Sequence, residues 1–157
     1  MEIINGERLV LGTCYYPEHW DESLWRDDLK RMLENGIEVI RIAEFAWSKI
    51  ERYEGVFNYD FFDRFLDVAA DMGMKVIFCT PTATPPAWLT EKYPEVLNAN
   101  MDGVLYRHGG RRHYNYNSPK YQELTRIIVE KSASHYAKHP AIIEWQIDNE
   151  VNCETNE

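Results

Sequence analysis

The chain has 157 residues, 45% of them hydrophobic and 27% charged, enough for one globular domain with a real core. Its formal net charge is −9, spread along the whole length, which disfavours nucleic acid and anionic membrane as partners because both repel a negative surface. A neutral partner such as a sugar is compatible with that charge.

Leu9 to Cys14 is apolar and predicts a first strand. Asp21 caps a predicted helix with Leu24, Trp25, Leu29, Met32 and Leu33 on one face and Gly36 just past its end. Ile37 to Ala43 predicts the second strand. After a polar connection, Asp60 is the expected N-cap of a helix that turns Phe62, Phe65, Leu66, Ala69 and Met72 inward and stops at Gly73. Met74 to Thr80 predicts the third strand, and Thr84 to Trp88 a loop entering a short helix with proline in its first turn. A long excursion from Asn98 to Asn117 follows. Ser118-Pro119 opens a helix with Leu124, Ile127, Ile128 and Ala133 on one side, which ends before Pro140. Ile142 to Asp148 predicts the fourth strand.

Strands alternating with helices predict an α/β fold with a parallel sheet and right-handed crossovers. A doubly wound sheet and a (β/α)8 TIM barrel both fit that rhythm. The first strand runs into Tyr15-Tyr-Pro-Glu-His-Trp20, with no glycine-rich phosphate loop, which favours the barrel. Barrels run to about 250 residues, so residues 1–157 are expected to be the N-terminal part of a barrel domain, its first four βα units, a half barrel.

Aromatic side chains number five Trp, ten Tyr and six Phe, many in polar, proline-containing stretches, as sugar-binding surfaces require. Phe61, Phe62 and Phe65 are instead assigned to the core. Cys14, Cys79 and Cys153 form no paired spacing and suit a reducing compartment. The charged N-terminus has no apolar stretch of signal-peptide length, so a cytoplasmic location is expected. His135 and His139, four apart on a predicted helix, have no further ligands nearby in sequence and are assigned to the surface.

Function is expected at the C-terminal ends of the strands. On the fourth, alternation puts Glu144, Gln146, Asp148 and, by continuation, Glu150 on one parity. A carboxyl group in a partly dry cleft has a raised pKa, which suits a general acid, and Asn149 can hydrogen-bond a sugar hydroxyl. Taken alone, the dipeptide reads better as the start of a helix. Arg41, set among Val39, Ile40, Ile42 and Ala43, must be paired, either with a carboxylate at the barrel mouth or in a structural ion pair with Glu44. Trp88 walls a sugar subsite or packs under the following helix. The basic stretch from Gly109 to Tyr114 is a solvated loop or an arginine donor to substrate hydroxyls.

The segments YYPEHW (15–20), RIAEFAWSKIE (41–51), EGVFNYD (54–60), TPTATPPAWL (80–89), GRRHYN (110–115), NSPKY (117–121) and WQIDNE (145–150), in that order, resemble glycoside hydrolase family 42, the β-galactosidases whose barrels carry the acid/base after strand four. The resemblance implies a retaining hydrolase of β-galactosides with Glu150 as acid/base, Asn149 contacting the sugar, Arg111 reaching the galactose site and Arg41 beside the nucleophile. It implies no cofactor and a homo-oligomer for the intact enzyme. The family's nucleophile is a glutamate on strand seven, expected to lie outside this chain, which is therefore expected to be inactive alone. Some members hold zinc through a cysteine where this sequence has Asn115, so no metal is expected. Two other readings stay open: a related retaining barrel acting on arabinosides, glucosides or fucosides, and a non-catalytic sugar-binding half barrel that pairs with a second chain.

Overall fold

The structure, a computed structural model, describes residues 9–110 and 112–151. Arg111 and Cys153 fall outside the described residues. The chain divides into two compact units: Met1–Ala43, Tyr59–Cys79 and Tyr136–Gln146 form the first, and Glu44–Asn58, Thr80–His135 and Ile147–Glu157 the second.

The first unit holds a parallel sheet of β1 (Leu11–Cys14), β2 (Ile37–Ile42), β5 (Lys75–Cys79) and β6 (Ile142–Gln146), in that spatial order. A doubly wound sheet starts in its middle and reverses direction. Here every crossover steps to the next position on the same side, as a barrel requires. At Gly12, where β1 meets β2, a Cβ would lie 3.1 Å from the Val39 carbonyl oxygen, tighter than an ordinary contact. Helices α1 (Trp25–Glu34) and α3 (Asp60–Met72) supply the unit's apolar cover. Trp25 is fully enclosed, edge-on to Phe61 and Phe65 at 5.2 and 5.1 Å between centroids, and its indole donates to the Pro17 carbonyl. Phe78 packs on Trp145 and Tyr136 at 5.3 and 4.8 Å.

The second unit contains α2 (Trp47–Ile50), a hairpin of β3 (Glu51–Tyr53) and β4 (Val56–Phe57), α4 (Ala87–Lys92) and most of α5 (Pro119–Tyr136). Its core includes Trp47, Ile50, Leu89, Val96, Tyr114, Tyr121 and Ile128. Tyr114 and Tyr121 stack at 4.5 Å, and the Tyr121 hydroxyl donates to the Thr82 carbonyl oxygen at 2.8 Å. Between α4 and α5 the chain is pinned by isolated bridges, Leu97 to Tyr114 and Ala99 to Leu105.

Several expectations are corrected. Asp21 caps a 3-10 turn, Glu22–Leu24, that feeds α1, and Leu24 is left exposed. Asp60 is the first helical residue of α3 rather than its cap, where its carboxylate favours the positive helix end. The connection 51–57 is a hairpin, missed because strands of two or three residues carry no periodicity. His139 lies beyond α5, 3.7 Å from Asp67, because that helix ends at Tyr136. Among the described residues no helix is long and apolar enough to cross a membrane.

Candidate active site

Backbone strain gathers at strand ends. Among the described residues, three other than glycine have positive φ: Ala43 just after β2, and Asp148 and Glu150 just after β6, at 73°, 54° and 50°. Such conformations cost on the order of 1–3 kcal/mol each and persist only where the surroundings fix them. They also overturn the alternation argument for Glu150. The strand ends at Gln146, and the left-handed residues re-aim the chain, so parity does not extend to Glu150. Glu150 is exposed and Asn149 is half-buried.

Within the second unit the segment 148–150 is tied at each residue. The Asp148 amide donates to Thr80 Oγ1 at 2.7 Å, and the Asn149 amide to Asp148 Oδ1 at 2.6 Å. The Glu150 carbonyl oxygen accepts from Arg112 Nε at 3.0 Å. Thr80 is buried and exchanges a 3.3 Å hydrogen bond with Thr82.

Arg112 is the centre of this arrangement. Its side chain is wholly buried, and its Nη1 donates to the Tyr114 and Tyr116 hydroxyls and lies 3.5 Å from Asp148 Oδ1. The guanidinium carbon sits 5.7 and 5.5 Å from the Tyr114 and Tyr116 ring centres. A buried guanidinium needs partners of this quality, since an uncompensated buried charge is strongly destabilising. Burial, followed for Tyr116 by its contact with Tyr114, pushes both tyrosine hydroxyls above their ordinary range, so they remain neutral. Sequence reasoning passed over Arg112, Asp148, Thr80 and Tyr116 as individuals. The one available signal was a second arginine beside Arg111 in an acidic chain.

Arg41 belongs to the first unit and is half-buried. Its Nη1 donates to Gln146 Oε1 at 2.8 Å and its Nη2 to Cys14 Sγ at 3.0 Å, joining the ends of β1, β2 and β6. Trp88 is held by its indole, which donates to the Glu51 carbonyl oxygen at 3.0 Å. His113 is buried, its pKa lowered chiefly by that burial, with Nδ1 against the Gly110 carbonyl oxygen. No group of three or more His, Cys, Asp or Glu side chains that could hold a metal ion occurs among the described residues.

A family model described as Beta-galactosidase, that of glycoside hydrolase family 42, matches residues 14–157. The chain belongs to glycoside hydrolase family 42. It is 43% identical over 143 residues to "Beta-galactosidase Bga" of Halorubrum lacusprofundi, covering 91% of this chain and 20% of that protein. It is 45% identical over 144 residues to "Beta-galactosidase BgaA" of a Thermus species, covering 92% and 22%. Among solved structures, the β-galactosidase of the psychrophilic Marinomonas ef1 superposes with a TM-score of 0.89 at 43% identity, over 92% of this chain and 22% of that one. The chain spans about a fifth of the length of the curated relatives it matches. With that membership, the sequentially ordered sheet is part of a (β/α)8 barrel.

Proposed function

We propose that these residues form the N-terminal part of a family 42 catalytic barrel that removes terminal β-D-galactose from β-galactosides with retention of configuration. The observation that carries the reading is the tethered segment after β6, where Asn149 and Glu150 stand on a backbone fixed at each residue. In this mechanism Glu150 gives its proton to the glycosidic oxygen as the bond to the sugar breaks, and a second carboxylate forms the glycosyl-enzyme. Glu150 then takes a proton from the water that releases the sugar. We assign that second carboxylate to the remaining length of the relatives. Asn149 donates to a sugar hydroxyl, Arg111 reaches the galactose, and Arg41 orients groups at the ends of β1, β2 and β6. The cysteine usage supports a cytoplasmic location, and the resemblance to the family supports a homo-oligomer of the intact enzyme.

The test is Glu150→Gln in the full-length polypeptide encoded by the gene. Turnover of a poorly activated galactoside is expected to fall by roughly 10²- to 10⁴-fold with folding preserved. Undiminished turnover overturns the assignment.

A further inference from the structure

We infer that His113 and His108 form an acid-sensitive latch on the loop between α4 and α5: the neutral pair holds the loop closed, and protonation of His113 opens it. The inference lies beyond the proposed activity and does not depend on it.

The case starts from one buried imidazole. His113 is 4% exposed. Its Nδ1 meets the Gly110 carbonyl oxygen, which can only accept, so the proton of the neutral ring is on Nδ1. That bond closes a turn in which Gly109 has φ 93° and the Gly110 amide returns to the Arg107 carbonyl oxygen at 3.3 Å. Nε2 is left as a lone pair, buried and without a hydrogen-bond partner among the described residues. A second proton would have to sit there. It would create a buried N–H with no acceptor and a buried cation with no counter-ion.

The neighbours add to that cost. His108 stands edge-on to His113 at 4.8 Å between centroids, and its Nδ1 shares a 3.0 Å hydrogen bond with Thr90 Oγ1 of α4. Tyr114 packs its ring on His113 at 5.6 Å, and its hydroxyl stays neutral. Asn98, whose amide donates to the His113 carbonyl oxygen at 2.8 Å, brings only a neutral carboxamide. The Arg112 guanidinium is turned to Tyr114, Tyr116 and Asp148. Among the described residues no carboxylate partners either imidazole, and His108, once protonated, adds a like charge. Burial lowers the His113 pKa, the Gly110 carbonyl opposes that, and His108 lowers it further. Between the lowered value and the ordinary histidine value, the closed loop therefore holds fewer protons than the open one. Closure is complete above that window and weakens as pH falls through it.

Trypsin cleavage after Arg107 in the full-length polypeptide reads the open loop, because Arg107 is exposed while its carbonyl is bonded into the turn. Each rate is divided by that of an unstructured peptide of the same sequence at the same pH, which cancels the protease's own pH dependence. From about pH 7.5 to about pH 5.5 the parent's ratio should rise by roughly 5- to 10-fold, since one proton taken up on opening is worth up to about tenfold per pH unit. His113→Asn keeps a donor for the Gly110 carbonyl oxygen and cannot take the proton, so its ratio should stay flat. His108→Gln removes the facing charge and should show a smaller rise than the parent. A parent ratio that does not change with pH overturns the latch, as does a rise in His113→Asn as steep as the parent's. If His113→Asn does not fold or is open at every pH, His108→Gln decides: a rise equal to the parent's overturns the pairing of the two rings.

Discussion

Glu51 is a buried carboxyl in the second unit, accepting from the Trp47 indole at 2.7 Å and the Gly55 amide at 2.8 Å. Burial raises its pKa, against the lowering by those two donors, and Glu54 adds to the rise. Between the ordinary glutamate value and the higher folded value, the native state therefore holds more protons than the unfolded chain. Stability is fullest below that window and falls as pH rises through it. Glu51→Gln removes the titration, so its urea midpoint should vary less with pH across the window than that of the parent. It also leaves one donor facing an amide group, and a loss of about 1–3 kcal/mol is expected at the acid end. A parallel pair of stability–pH curves would show that Glu51 is not the titrating group. At this scale the sequence showed that Arg41 needs partners but named carboxylates for them, whereas its described hydrogen bonds go to Gln146 and Cys14. Arg112 was not legible, because its partners include Asp148 and the Glu150 carbonyl oxygen, 36 and 38 residues away. The alternation that grouped Glu150 with Gln146 and Asp148 does not extend past β6, because it assumes extended backbone and Asp148 is left-handed.

Elements with long periodic signals were readable to within a few residues. The helix from Asp60 and its stop at Gly73 emerge as α3, with Phe62, Phe65, Leu66 and Ala69 buried as expected. Gly73 closes that helix at φ 75°, and its amide and that of Met74 return to the carbonyl oxygens of Ala70 and Ala69 at 3.0 and 2.9 Å. A Cβ at Gly73 would meet nothing within 4 Å, so Gly73→Ala isolates the backbone cost of the left-handed cap. We expect a loss of about 1 kcal/mol, read as a thermal midpoint lower by roughly 2–4 °C. An unchanged midpoint would mean that the cap frays without consequence. The hairpin of β3 and β4 escaped notice for the opposite reason. Its strands are too short to show a pattern, and its single local cue was Gly55, which turns the chain at φ 78°.

For the molecule as a whole, the rhythm of strands and helices was enough to choose an α/β fold, and the missing phosphate loop was enough to prefer a barrel. The spatial order of strands then follows chain order, from β1 through β2 and β5 to β6. Sequential order also has a consequence for biosynthesis. Each strand emerging from the ribosome finds its neighbour already in place, and its crossover spans only the residues just made. No earlier strand has to be displaced to admit a later one. The sheet can therefore be laid down vectorially, with the growing edge always at the most recently synthesised strand.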